Sequence, residues 1–368
     1  MEGPAVSLPD PGTAQIMQII KFLLPVCLMA LAAGAQTRSG PWEIEASDST
    51  AGLRGIHAVG NGVVWASGTG GTVLRSEDAG YLWQSCATPP GAGKLDFRSV
   101  WAWDEKTALV MSSGPGDQSR LYQTTDGCSS WKLLFTNPDS AGFWDGLLFT
   151  DREHGVLYGD PVPTPGRTHH ARFGMLLSHD GGNTWTPAAD LEPLAGESMF
   201  AASNSSMAAR DGQVWLGTSR ARVLRSKGWA DWQSAPTPLA SGNDSSGVFS
   251  LTFRDQLHGI AVGGNYRKPE DATGTAAYTS DGGEHWSVPQ KPPHGYRSAV
   301  DWDEKDHAWI TVGTNGSDVS YDDGKTWQWL DSGNWNALSL PWAVGPNGQI
   351  GKLGMLPAPP AAGMPVSR

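Results

Sequence analysis

Apolar residues along this chain come in short runs, each five to seven residues long and each broken by a polar turn. Residues 97–103 read FRSVWAW, residues 104–106 supply the turn DEK, and TALVMSS follows at 107–113 before RLYQTT at 120–125. The same order returns at 297–302 (RSAVDW), 308–313 (AWITVG) and 317–321 (SDVSY), and again at 247–253 (GVFSLTF) and 260–264 (IAVGG). Short, β-branched and aromatic runs bounded by Gly, Asp and Asn predict antiparallel strands joined by tight hairpins. No stretch repeats apolar residues at helical spacing over three turns without Gly or Pro interrupting it.

One run departs from this rhythm. Residues 16–35 read IMQIIKFLLPVCLMALAAGA, with Lys21 ahead of an apolar core and Ala33-Gly34-Ala35 at its end. A cation, a short apolar core and an A-x-A-type cleavage site make residues 1–35 a secretory signal peptide, with Met17 the better initiator and Gln36 the first mature residue. Pro25 and the shortness of the core argue against a membrane anchor, and Cys27 lies too deep in the run for a lipoprotein site. No later run is long enough to span a bilayer. The expected product is a secreted or periplasmic monomer. Export leaves Cys86 and Cys128 in an oxidising compartment, which permits a disulfide between them; two buried small hydrophobes read equally well from the sequence.

A second pattern overlies the strands. Asp78 with Trp83, Asp126 with Trp131, Asp180 with Trp185, Asp281 with Trp286, and Asp322 with Trp327 sit in five near-complete copies of the template S/T-x-D-x-G-x-x-W, and a shortened copy ends at Trp232. The Asp and Ser/Thr side chains can accept backbone N–H groups across a turn, Gly supplies positive φ, and Trp enters the next strand to cover its blade. The six Trp anchors stand 41 to 54 residues apart. That period marks the blades of a β-propeller. Trp42, in Pro41-Trp42-Glu43-Ile44, has the place of a final strand whose earlier strands are missing, and Trp335 to Leu353 supplies three strands without a box. Joining them gives an all-β, seven-bladed propeller closed by an N-terminal strand, spanning residues 36–354, with a Pro/Ala-rich disordered tail over 355–368.

Composition fits this reading. The chain carries 47 Gly, 26 Pro and 18 Trp, which excludes a helical bundle. Its formal net charge of −11 offers no basic footprint for nucleic acid. The boxes resemble the Asp-box, or bacterial neuraminidase, repeat found in sialidases, sortilin-type receptors and photosystem II stability/assembly factors. Residues 40–353, with phrases such as FWDGLLFTDREHGVLYGDPV and GIAVGGNYRKPED, are most similar to the last group in its broad bacterial sense. That resemblance implies an exported seven-bladed propeller and, from an arginine patch in the assembly factors, a protein partner. Box hairpins specify fold, not function.

Counting back six residues from each turn Asp places the start of the innermost strands in one column: Arg98, Asp145, Phe249 and Arg297, extended to Arg54, Met199 and Asn336. Arg297, Asn336, Arg54 and Arg98 then share an arc of the channel mouth, with Asp145 and Asp160 opposite. Guanidinium forks bind carboxylates bidentately, so the arc is a candidate site for an acidic group. Each Arg paired with a nearby Asp or carbonyl would equally tie blades together. Two longer loops, residues 161–171 and 264–274, rise on the same face, the second carrying Asn265, Tyr266 and Arg267.

Chemistry is thinly represented. A sialidase needs an Arg triad, a Tyr–Glu nucleophile pair and an acid/base Asp; Arg54, Arg98 and Arg297 could imitate the triad, but the Arg-Ile-Pro signature is replaced by Arg54-Gly55-Ile56 and no Tyr–Glu pair is placed. His169-His170 lacks further ligands at metal spacing. No dinucleotide fingerprint or nucleophile elbow occurs. The expected function is a non-enzymatic binding or assembly scaffold without cofactor or metal, which recognises a protein or small acidic ligand at the channel mouth. The alternatives are a sialidase-like glycoside hydrolase and a structural envelope protein. A deep pocket with a carboxylate pair beside the arginines would speak for catalysis, and a broad shallow face for a protein partner.

Overall fold

The structure, a computed structural model, describes residues 40–359 together with Met1 and Gly3. The expected signal peptide, Met17 and Cys27 lie outside the described residues. Residues 40–359 fall in one compact unit.

Seven antiparallel sheets succeed one another along the chain. Blade one comprises Leu53–Gly60, Val63–Gly68, Val73–Ser76 and Gln84–Ser85. Blade two comprises Phe97–Ala102, Ala108–Ser112, Arg120–Thr124 and Lys132–Thr136. Blade three comprises Trp144–Phe149, Gly155–Pro163, Ala171–Ser178 and Thr186–Pro187, and blade four Met207–Arg210, Gln213–Gly217, Arg222–Lys227 and Ala230–Pro236. Blade five has three strands, Ser246–Phe253, Gly259–Asn265 and Ala276–Thr279, with a single bridge from Tyr278 to Ser287 in place of the fourth. Blade six runs Ala299–Asp303, Ala308–Gly313, Gly316–Ser320 and Gln328–Asp331. Blade seven takes Ala337–Ser339, Trp342–Val344 and Ile350–Leu353 from the C-terminal end and Trp42–Glu45 from the N-terminal end, paired Trp42 to Leu353 through Glu45 to Ile350. The all-β seven-bladed propeller closed by an N-terminal strand is therefore present. Among the described residues no helix is long and apolar enough to cross a membrane.

The hairpin boxes work through their side chains. Ser178 Oγ donates to Asp180 Oδ1 at 2.9 Å and accepts the Gly182 N–H at 2.9 Å, while Asp180 Oδ1 accepts the Thr184 N–H at 2.9 Å. Ser76 with Asp78, Thr124 with Asp126, Thr279 with Asp281, and Ser320 with Asp322 repeat this pattern. The Trp that follows does more than cover its own blade. Trp83 packs edge-on to Trp342 of blade seven, and Trp131 edge-on to Trp65 of blade one. Each box thus wedges an aromatic ring against the preceding blade.

The core is correspondingly divided. Seven apolar clusters fill the seven blade junctions, from Trp65 with Phe97 and Tyr122 between blades one and two to Trp42 with Trp335 and Ile310 between blades six and seven. Radial repetition lets a long chain keep many small cores instead of one large one. Cys86, at the end of blade one, and Cys128, in the box of blade two, form a disulfide with Cα atoms 5.3 Å apart, a covalent tie across one junction. Cys128 holds φ 62, where the other complete boxes place Gly.

Innermost strands have a free edge toward the channel, and buried edge N–H groups need acceptors. Neighbouring blades supply them. Ala58 donates to Ser339 Oγ at 3.0 Å, Ala102 to His57 Nδ1 at 3.0 Å, Val300 to Ser250 Oγ at 3.0 Å and Leu340 to Asp301 Oδ2 at 3.1 Å. Residues 354–359 stay on the surface: Leu356 packs against the blade six–seven cluster, and Tyr321 OH donates to the Pro357 carbonyl. The rest of the Pro/Ala-rich tail, from residue 360, lies outside the described residues.

Candidate functional site

A β-bulge places the mouth residues. In the innermost strands the register slips between Leu53 and Gly55, Phe97 and Ser99, Trp144 and Gly146, and Val248 and Ser250. The skipped residues are Arg54, Arg98, Asp145 and Phe249. An extra residue in a bulge has no ladder partner, so its side chain is re-aimed. All four line one cavity of about 520 Å³ to which every blade contributes, Asn336 entering from blade seven and Tyr296 with Ser298 from the blade six approach.

Arg297 is the exception, and the expectation for it is corrected. Ser298 N and Ala299 both face Val312, so the extra residue of blade six is Ser298, one position later. The cause is the hairpin. In blade two Ala102 pairs with Ala108 and the turn Asp104 lies beyond the ladder; in blade six Asp303 itself pairs with Ala308. The identical tetrapeptides Trp-Asp-Glu-Lys at 103–106 and 302–305 thus sit in different registers. Arg297 is wholly buried: Nε donates to Asp318 Oδ2 at 2.8 Å, Nη2 donates to the same oxygen, and Nη1 donates to the Tyr296 carbonyl at 2.8 Å and Asn315 Oδ1 at 2.6 Å. It ties the blade six approach together.

The two remaining arginines differ from each other. Arg98 is engaged, with Nε on Asp96 Oδ2 at 2.8 Å and Nη1 on the Ala201 carbonyl at 2.9 Å. Arg54 makes no ion pair or hydrogen bond among the described residues, and its buried Nε has no partner. Burial, then the neighbouring Arg98 charge, pull its guanidinium below the usual arginine range, against Asp96 and Tyr296. Asn336 is committed to structure, its Nδ2 donating to the Leu53 carbonyl at 2.8 Å.

Opposite stand two carboxyl groups. Asp145 is 2% exposed and its Oδ2 has no partner. Burial first and the Asp160 charge second push it well above the carboxylate range, with Arg98 opposing. Asp160 is raised by burial, while the Met199 N–H bonds its Oδ1 at 3.0 Å. An aromatic wall joins the two sides: Phe200 stacks on Phe249 at 3.8 Å, and Tyr296 meets Phe249 edge-on at 4.9 Å, with Tyr266 at the rim. Asn265 and Arg267 stand beside the cavity, not in it. Asn265 Oδ1 caps the Arg267 N–H, and Arg267 pairs with the exposed Asp244 at 3.0 Å across the face of Tyr266.

The cavity has a floor that sequence reading missed. Met199 does not begin the blade four strand, which starts at Met207. Residues 199–205 instead cross the channel: Ala201 accepts from Arg98 of blade two, and Asn204 Oδ1 accepts both Ser99 Oγ of blade two at 2.7 Å and Leu147 N of blade three at 2.8 Å. Ser203 Oγ donates to the Ser298 carbonyl at 2.7 Å and Ser205 Oγ to Ser250 Oγ at 2.8 Å. The signal was the run Ala201-Ala202-Ser203-Asn204-Ser205-Ser206, whose small polar side chains suit a crowded axis. The mouth is therefore a blind cup.

Metal chemistry has little here. His169 and His170 lie on the blade three hairpin, His170 3.7 Å from Glu192. Asp281, Glu284 and His285 bring ligand atoms within 4.8 Å, but Asp281 is already used by its own box, accepting the Glu284 and His285 N–H groups and facing His285 Nδ1.

No family model matches the chain. Photosystem II assembly protein Ycf48 from Thermosynechococcus vestitus is 26% identical over 168 residues, 38% of this chain and 48% of that protein, so the match spans about half of the relative's length. Among solved structures, YCF48 bound to a D1 peptide superposes with a TM-score of 0.60 at 15% identity, covering 86% of this chain and 97% of that one. YCF48 from Cyanidioschyzon merolae gives 0.61 at 16%, covering 85% and 98%. The WD40 propeller of Doa1 gives 0.57 at 10%, covering 85% and 96%. In sequence and in fold the chain resembles photosystem II assembly factors; these structural likenesses speak to the propeller alone.

Proposed function

We propose that this protein is an exported, non-enzymatic propeller scaffold that binds a protein partner and receives one of its acidic groups in the channel-mouth cup. The observation that carries this reading is Arg54, a guanidinium with a buried, unpartnered Nε in a cup built by all seven blades. A buried donor without an acceptor costs about 1–3 kcal/mol, and an incoming carboxylate would relieve that cost with a charge-assisted bond. A ring closed without free edges holds the cup rigid, so little ordering opposes binding. The assembly factor bound to a D1 peptide is a propeller of the same architecture, which supports a peptide-bearing partner. The signal-like residues 16–35 and the Cys86–Cys128 disulfide support export.

A second reading is favoured by one observation: the Asp145 and Asp160 carboxyls stand beside arginines in a pocket, as a glycosidase would require. Arg297 has left the cup, so the arginine triad is broken. Each carboxyl is also enclosed, Asp145 almost wholly.

The test is capture from envelope extract by the wild-type protein beside the folded Arg54→Ala variant. A partner retained by the wild type and lost by the variant supports the reading. Equal capture by both refutes the mouth as the site. Hydrolysis of a glycan panel that disappears in Asp160→Asn would replace the scaffold with the hydrolase. N-terminal sequencing of the secreted or periplasmic form should begin at Gln36; retention of residues 1–35 on a cytoplasmic protein would refute export.

A further inference from the structure

The cup sets a guanidinium on one side against two enclosed carboxyl groups on the other. Among the described residues, Arg54 on blade one lacks an acceptor. On blade three, Asp145 lacks a donor for Oδ2, and among the described residues no cation pairs with it or with Asp160. Two enclosed carboxyls side by side and no bonded cation make an environment that favours a donor or a positive charge. The Asp145 atom is a built feature: its residue is 2% exposed and lines the cavity.

The shape adds a direction. Residues 199–205 floor the cup, so a chain that enters cannot continue down the axis. Asp160 also lines an adjoining groove of about 660 Å³ over the junction of blades three and four. His169 and His170 flank it on the blade three hairpin, and Glu192 with Ala195 on the approach to blade four. Asp160 is thus the doorpost between cup and groove, and the groove is again acidic on one side.

Resting on the binding reading above, we propose that the occupant is an extended, dipolar protein segment. It sets an acidic group on Arg54 and a neighbouring basic side chain against Asp145 and Asp160, and its chain leaves radially through the blade three–four groove. The charge complementarity, the closed floor and the shared Asp160 each require one part of that description.

The test is selection of phage-displayed random twelve-residue peptides on the whole chain, followed by affinity measurement with synthetic peptides. The expected selectants carry one acidic and one basic residue at a fixed short spacing. Changing the peptide's basic residue to Gln should cost about tenfold on the wild type, as expected for a charge-assisted pair, and nothing further on Asp145→Asn or Asp160→Asn. Ala195→Trp, which fills the groove, should weaken the full peptide but not a fragment trimmed to the two charged residues. Selectants that are acidic only and depend on Arg54 would overturn the dipolar segment while leaving the mouth as the binding site. Selectants indifferent to Arg54→Ala, or no selectants, would overturn both. An equal effect of Ala195→Trp on full and trimmed peptides would overturn the radial path.

Discussion

Arg54 and Arg297 were placed in one column by sequence, yet the structure gives their removal opposite consequences. Arg297→Ala deletes a fully buried guanidinium and leaves the Asp318 carboxylate, itself fully buried, with only His294 as counter-group, through Nδ1 at 2.5 Å and its backbone N–H at 3.4 Å. Breaking a buried pair from one side costs about 3–5 kcal/mol. For a domain this large each kcal/mol moves Tm by about 2 °C, so a drop of about 6–10 °C is expected. Arg54→Ala removes a charge that is desolvated, repelled by Arg98 and unpartnered, so relief of its unsatisfied burial, about 1–3 kcal/mol, offsets the packing it loses and Tm should stay level or rise. Thermal and urea unfolding followed by the fluorescence of the 18 tryptophans would measure both. Replacing Arg297 and Asp318 together by Leu should recover part of the loss, because the stranded carboxylate disappears. A fall in Tm for Arg54→Ala as large as that for Arg297→Ala would refute the assignment of one arginine to binding and the other to structure.

Further outcomes follow from the junctions. Cys86→Ser with Cys128→Ser opens a link between residues 42 apart, and the chain-entropy model puts the loss near 4 kcal/mol, measurable by urea unfolding with and without reductant; an unchanged midpoint would show that the bridge does not stabilise the ring. Burial raises Asp301 to about 6. Its contribution is therefore full below its unfolded pKa near 4 and is lost as pH rises through 6, by at most about 3 kcal/mol. Asp301→Asn should flatten the stability profile between pH 4 and 6 relative to wild type. Burial lowers His57 to about 4, where its Nδ1 accepts the Ala102 N–H. Its contribution is present above pH 6.5 and is lost as pH falls toward 4, again by at most about 3 kcal/mol; His57→Gln should shift the acid-unfolding midpoint downward, and an unchanged midpoint would remove His57 as a source of acid sensitivity.

The repeat, the number of blades and the way the ring closes were legible in the sequence because the box is local chemistry. Ser178, Asp180, Gly182 and Trp185 act on one another within eight residues, so each copy announces its own hairpin, and the spacing between copies announces the ring. The left-over strand around Trp42 and the unboxed strands after Trp335 could be joined for the same reason. Most of the mouth was legible too: Arg54, Arg98, Asp145, Asp160, Tyr266 and Asn336 all line the cup. Only tertiary structure decided the rest. Which residue is skipped in an innermost strand depends on how that strand pairs with the next, so the same Trp-Asp-Glu-Lys tetrapeptide leaves Arg98 in the cup and turns Arg297 into the interior. The floor at residues 199–205 is made by contacts to blades two, three, five and six, which no local pattern encodes. Whether a guanidinium is braced is likewise decided by its neighbours in space: Arg297 meets Asp318, and Arg54 meets no acceptor among the described residues.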